Sequence, residues 1–111
     1  MNAAQIDRLI ASVPKGIEER HRKRVMGYAW TARRVDARIT TLRGDLERAL
    51  RAVDDAAARG QGDIAADRAL QLAQELESLE RVQPRVDSWL RVAVGAVADD
   101  PGLEPFGEGP A

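Results

Sequence analysis

Apolar and small side chains recur at alternating steps of three and four through residues 16–60: Val25, Tyr28, Ala32, Val35, Ile39, Leu42, Leu46, Ala49, Val53 and Ala56. This is a heptad seam, the spacing that keeps one stripe of a helix against a partner over many turns. No proline interrupts it. At 1.5 Å per residue the segment predicts a helix of about 65 Å, too long for a compact domain of this size to cover. A second seam follows at Ala65, Ala69, Leu72, Leu76, Leu79, Gln83, Val86, Leu90, Ala93 and Val97. Between the two, Gly60-Gln61-Gly62 offers a left-handed cap and a tight turn, and Asp63 is expected to cap the returning helix. So short a connection predicts an antiparallel hairpin. Folding the chain about it sets Leu46 near Leu76, Ile39 near Gln83, Ala32 near Leu90 and Val25 near Val97. Both stripes stay apolar along nearly the whole overlap, and that agreement is the strongest argument for the hairpin.

A shorter amphipathic pattern precedes the seams. Ile6, Leu9, Ile10 and Val13 fall on one face of a helix over residues 3–13, with Asn2 as its N-cap and Pro14-Lys15-Gly16 as its stop. Pro84 lies one residue off the second seam and is expected to bend or divide the returning helix. The β-branched run over residues 92–98 also suits a strand, but it continues the seam and has no partner strand, so it is assigned to the helix. The expected fold is all-α: a long antiparallel, coiled-coil-like hairpin with a short N-terminal helix packed at its open end. It forms one domain over residues 1–100, followed by a flexible tail over 101–111 rich in Pro, Gly and Glu.

Composition narrows the classes of function. Of 111 residues, 32% are charged and 4% aromatic, a mix that with heptads marks long helices. The absence of cysteine excludes disulfides, thiolate metal sites and thiol nucleophiles. No apolar run is long enough to span a bilayer, and the first residues lack the pattern of a signal peptide. A cytoplasmic location is the default expectation. Charge is strongly segregated. Between Arg20 and Arg43 there are eight basic residues and one acidic, whereas from Asp54 onward there are five basic and twelve acidic.

Several residues stand apart from the seams. Met26 and Trp30 lie on the outer side of the long helix, and Val82 and Trp89 widen the apolar face of the returning one. Part of this surface is expected to be covered by the first helix, and part is a candidate protein interface. The run Arg20, Arg22, Lys23, Arg24, Arg33, Arg34 and Arg38 reads first as a solvated face paired with the acidic returning arm. Its functional alternative is contact with nucleic-acid phosphates, with Tyr28 and Trp30 as possible stacking groups. Glu18 and His21 have a Glu-x-x-His spacing, but the chain has no other histidine, the extra seam carboxylate is missing, and Arg20, Arg22, Lys23 and Arg24 would repel a cation, so neither metal nor cofactor is expected. His21 is expected to be partly exposed at the end of the seam. Leu103 and Phe106 in the tail form a possible docking motif.

No phosphate loop, hydrolase elbow or nucleophile–base pair is present, so neither enzymatic activity nor a small-molecule substrate is expected. The turn Arg59-Gly60-Gln61-Gly62 lacks the Trp-x-Gly signature of small secreted helical-hairpin proteins. The expectation is a structural or adaptor subunit that packs against copies of itself or into a larger protein assembly, with no membrane partner. The alternative is a helical subunit that binds nucleic-acid backbone in a ribonucleoprotein or DNA-handling complex.

Overall fold

The computed structural model describes residues 1–99. Over them the chain forms α1 (Ala3–Ala11), α2 (Glu19–Ala57) and α3 (Gly62–Asp99), with no strand among the described residues. α2 and α3 pack as a hairpin, and α1 contacts them. Local chemistry sets the ends. Asn2 and Gln5 make a reciprocal capping box, each side chain accepting from the other's backbone N–H at 2.9 Å. α1 stops at Ala11, earlier than Pro14 suggested, because the Ser12 hydroxyl and backbone N–H both donate to the Leu9 carbonyl, at 2.6 and 3.2 Å. Arg22 donates to the Lys15 carbonyl at 2.8 Å and ties the linker to the first turn of α2.

The turn is a Schellman motif. Gln61 N–H donates to the Ala56 carbonyl at 2.8 Å and Gly60 N–H to that of Ala57 at 3.1 Å, with Gly60 left-handed at φ 74°. A Cβ on Gly62 would stand 3.4 Å from the Ala57 backbone, so glycine also suits the close return of the chain there. α3 begins at Gly62, which places Asp63 inside its first turn and not at the cap. Its carboxylate still complements the positive helix end. Pro84 does not divide α3, which remains one helix with Pro84 inside it. A single proline costs one backbone bond, and the seam residues on both sides, Leu79 and Val86, stay covered.

Each of the seam positions named above is buried or half-buried, and none is exposed. The chain divides into two compact units. The first joins Met1–Asp36 to the chain from Gln83 onward, and the second is Ala37–Val82. In the first, Ile6 is buried in one cluster with Ile17, Val25, Ala32, Leu90 and Val97. Ala29 and Val94, which lie off the α2–α3 seam, are buried in the same cluster. This unit therefore closes two stripes. α1 is pinned by an ion pair of Asp7 with Arg33 of α2, at 2.7 Å, and by the Met1 amino group on Asp87 of α3.

The second unit contains α2 and α3 segments alone. Its buried residues are Ile39, Leu42, Ala56, Ala69, Leu72 and Leu76. Arg38 bonds Glu75 of the facing helix through two nitrogens at 2.8 and 3.0 Å, and Arg43 stands 3.6 Å from Glu80. Leu90 is fully buried whereas Ile64 is 78% exposed. Leu90→Ala should therefore cost about 3 kcal/mol in urea denaturation, and Ile64→Ala less than about 0.5 kcal/mol.

Candidate interaction surfaces

On α2 of the first unit, Lys23, Gly27, Trp30 and Arg34 succeed one another at steps of four, three and four, so they share one face of the helix. Trp30 is 60% exposed. The Arg34 guanidinium sits 4.8 Å from its ring centroid, a cation–π contact worth about 0.5–1 kcal/mol at an exposed site. That contact holds the indole in place but leaves most of it in water. A Cβ on Gly27 would meet nothing within 4 Å, so the surface beside the indole is open. Met26 is exposed on its outer side and lines, with Ile10, Val13 and Val25, a cleft of about 60 Å³ in the same unit.

The other expected interface residues separate. Trp89 is half-buried against the core of the first unit, and Val82, exposed, belongs to the second. The second unit carries a surface that the sequence reading passed over. An open apolar groove of about 350 Å³ is lined by Leu46, Leu50 and Val53 of α2 and by Ala66, Ala69, Leu70 and Ala73 of α3. Leu50 and Leu70 are each more than half exposed. Their signal was present in the sequence: Leu50 lies four residues past seam residue Leu46, and Leu70 directly follows seam residue Ala69.

The basic run is largely spoken for, though not mainly by the returning arm. Arg20 pairs with Glu18 at 2.9 Å, Arg22 holds the Lys15 carbonyl, Arg33 pairs with Asp7 of α1, and Arg24 is engaged as well. Arg38 reaches an acidic residue of α3, Glu75, at 2.8 Å. Lys23 and Arg34 make no ion pair among the described residues.

His21 differs from expectation: it is 1% exposed, with its Nε2 unpartnered. It lies midway between Ile17 and Val25, both buried, at steps of four, so the first stripe continues through it. Glu18 is exposed and held by Arg20, so the Glu-x-x-His spacing does not bring its two members together. No group of three or more His, Cys, Asp or Glu side chains suited to a metal is found among the described residues. Asp87, also buried, was missed by the sequence reading. Leu103 and Phe106 lie outside the described residues.

Burial raises the Tyr28 hydroxyl above its ordinary value near 10, and the nearby Arg24 charge offsets part of the rise. The fold thus prefers neutral Tyr28. Its contribution is complete below the unfolded value and declines as pH climbs through the higher folded one. Melting temperature should fall above about pH 10, and Tyr28→Phe should flatten that decline in thermal melts taken between about pH 8 and 11.

No family model, curated protein or solved structure matches the chain. No helix among the described residues is long and apolar enough to cross a membrane.

Proposed function

We propose that the protein is a non-enzymatic structural or adaptor subunit whose helices pack against other protein, as copies of itself or within a larger assembly. One observation carries this reading. Helices whose shared seam is already closed still expose large apolar side chains, among them Met26, Trp30, Leu50, Leu70 and Val82. Exposed apolar residues scattered singly need no explanation, but an aromatic fixed by a cation and a groove flanked by two leucines are features of contact surfaces.

The nucleic-acid reading has one observation in its favour: Trp30 stands between Lys23 and Arg34 on one helix face, an arrangement suited to stacking a base beside phosphates. Magnitude weighs against it. The two cations that flank Trp30, Lys23 and Arg34, neutralise about two phosphates, for a log–log salt slope of about −1.4 on single strands. Such binding is weak at physiological salt. The protein-partner reading draws on Trp30 and on the groove alike.

Light scattering on the full chain, at low and high salt and with or without mixed RNA and DNA, tests the choice. A mass above the monomer that survives high salt without nucleic acid is the expected result. A monomer that gains mass only with nucleic acid, and loses it in salt, would overturn the reading. Charge reversal at Arg33 and Arg34 should leave the assembled mass unchanged. Gly27→Ala should raise stability by about 0.5–1 kcal/mol, since the added methyl meets open space and removes a flexible residue from a helix interior. Chemical denaturation measures that gain directly.

A further inference from the structure

We infer that the groove of the second unit receives a second copy of this chain, forming a four-helix bundle about a two-fold axis parallel to the helices. The inference rests on the assembly reading and specifies the partner and its site.

A two-helix layer closes one seam and needs a second layer to cover the rest. In the first unit α1 supplies cover. The second is built of α2 and α3 segments alone and leaves Leu50 and Leu70 more than half exposed. The groove that remains has unlike walls. The α2 wall is raised by Leu46, Leu50 and Val53, and the α3 wall is lowered by Ala66, Ala69 and Ala73. Ala66, Ala69, Leu70 and Ala73 stand at i, i+3, i+4 and i+7, the four corners of a hole that admits one knob from a facing helix.

Register identifies the knob. The turn is centred near residue 60, so Leu50 stands level with residues 69–70 of α3. A two-fold axis along the hairpin preserves level and sets α2 of one copy over α3 of the other, antiparallel. Leu50 of each copy then meets the four-residue hole of its partner. A two-fold axis across the helices would instead set leucine wall on leucine wall and alanine on alanine, leaving a void.

Size and charge allow the pairing. From Arg43 to Ala57 the face extends about 21 Å, and two helices are about 20 Å wide, so roughly 400 Å² is covered in projection. With side-chain relief, a pair of copies removes on the order of 1,000 Å² from water, the lower limit for a specific interface. At the rim, Arg43 comes level with Glu77 of the other copy and Arg51 within two residues of Asp67, against an unfavourable approach of Asp54 toward Asp63. These come in addition to the own-helix pairs of Glu77 with Arg81 and of Arg51 with Glu47. Exposed pairs contribute little, so burial of the leucines carries the contact.

Sedimentation equilibrium of the full chain over a concentration series tests this. The expected result is a concentration-dependent dimer, weakened at least about 100-fold by Leu50→Glu or Leu70→Glu. Both positions are more than half exposed, so helix content by circular dichroism should hold, and Trp30→Ala should keep the dimer. Because the chain has no cysteine, a Leu50→Cys copy mixed with a Leu70→Cys copy should form an intermolecular disulfide more readily than either alone. A dimer indifferent to Leu50→Glu but lost with Trp30→Ala would overturn the groove and leave the assembly reading standing. A chain monomeric to about 200 µM would overturn the second copy as occupant, whereas the assembly reading itself falls only to mass gained with nucleic acid.

Discussion

The whole structure depends on one constraint: an apolar stripe that repeats every 3.5 residues has to be kept from water along two helices at once. Neither α2 nor α3 has an independent reason to be helical over nearly forty residues, since intrinsic propensity is a weak force and isolated helices are marginal in water. Each is helical because the other covers its seam. The Schellman turn at Gly60 makes this pairing local in the chain and fixes its register. Everything beyond the seam, including Trp30 and the Leu50–Leu70 groove, is positioned as a consequence of that register.

The two units answer the same packing problem with different resources. Where Ile6 and its neighbours on α1 are available, off-seam residues such as Ala29 and Val94 become core. The same enclosure accounts for two polar side chains inside the unit. Asp87 keeps its charge partner in the Met1 amino group, and His21 is buried on the stripe with one nitrogen unpartnered. A buried polar atom left without a partner costs about 1–3 kcal/mol, so this unit carries a local cost that its larger apolar cluster offsets. The second unit buries no polar side chain of this kind among the described residues, but it leaves leucine in water.

The seams were legible in the sequence because period alone defines them, and Val25 to Ala56 and Ala65 to Val97 are all covered as the pattern demanded. Asn2, Gly60 and the helical assignment of residues 92–98 were legible for similarly local reasons. The less legible features were those decided by a third element. His21 looked like a partly exposed end residue because the seam read from the sequence began at Val25, whereas the buried stripe continues through His21 to Ile17. Asp87 looked like one acidic residue among many until burial distinguished it. Helix boundaries moved by a few residues where side chains compete with the backbone, as Ser12 does for the Leu9 carbonyl. Asp63 moved inward because Gly62 had already joined the helix.

The segregation of charge along the chain resolves in the structure into separate local contacts. A basic α2 and an acidic α3 suggested either a broad electrostatic zipper or an arginine face for phosphate. The geometry divides the basic residues into short-range arrangements, with Arg20 on Glu18, Arg33 on Asp7, Arg38 on Glu75 and Arg34 on Trp30. Each is exposed and weak by itself. Together they orient side chains and use up cations that a phosphate would have needed. The apolar surface has no such local use. A guanidinium of this run finds a partner on its own helix, in the segment before it or on the helix beside it, whereas Leu50 and Leu70 stay more than half exposed, and that difference directs the functional reading toward protein contact.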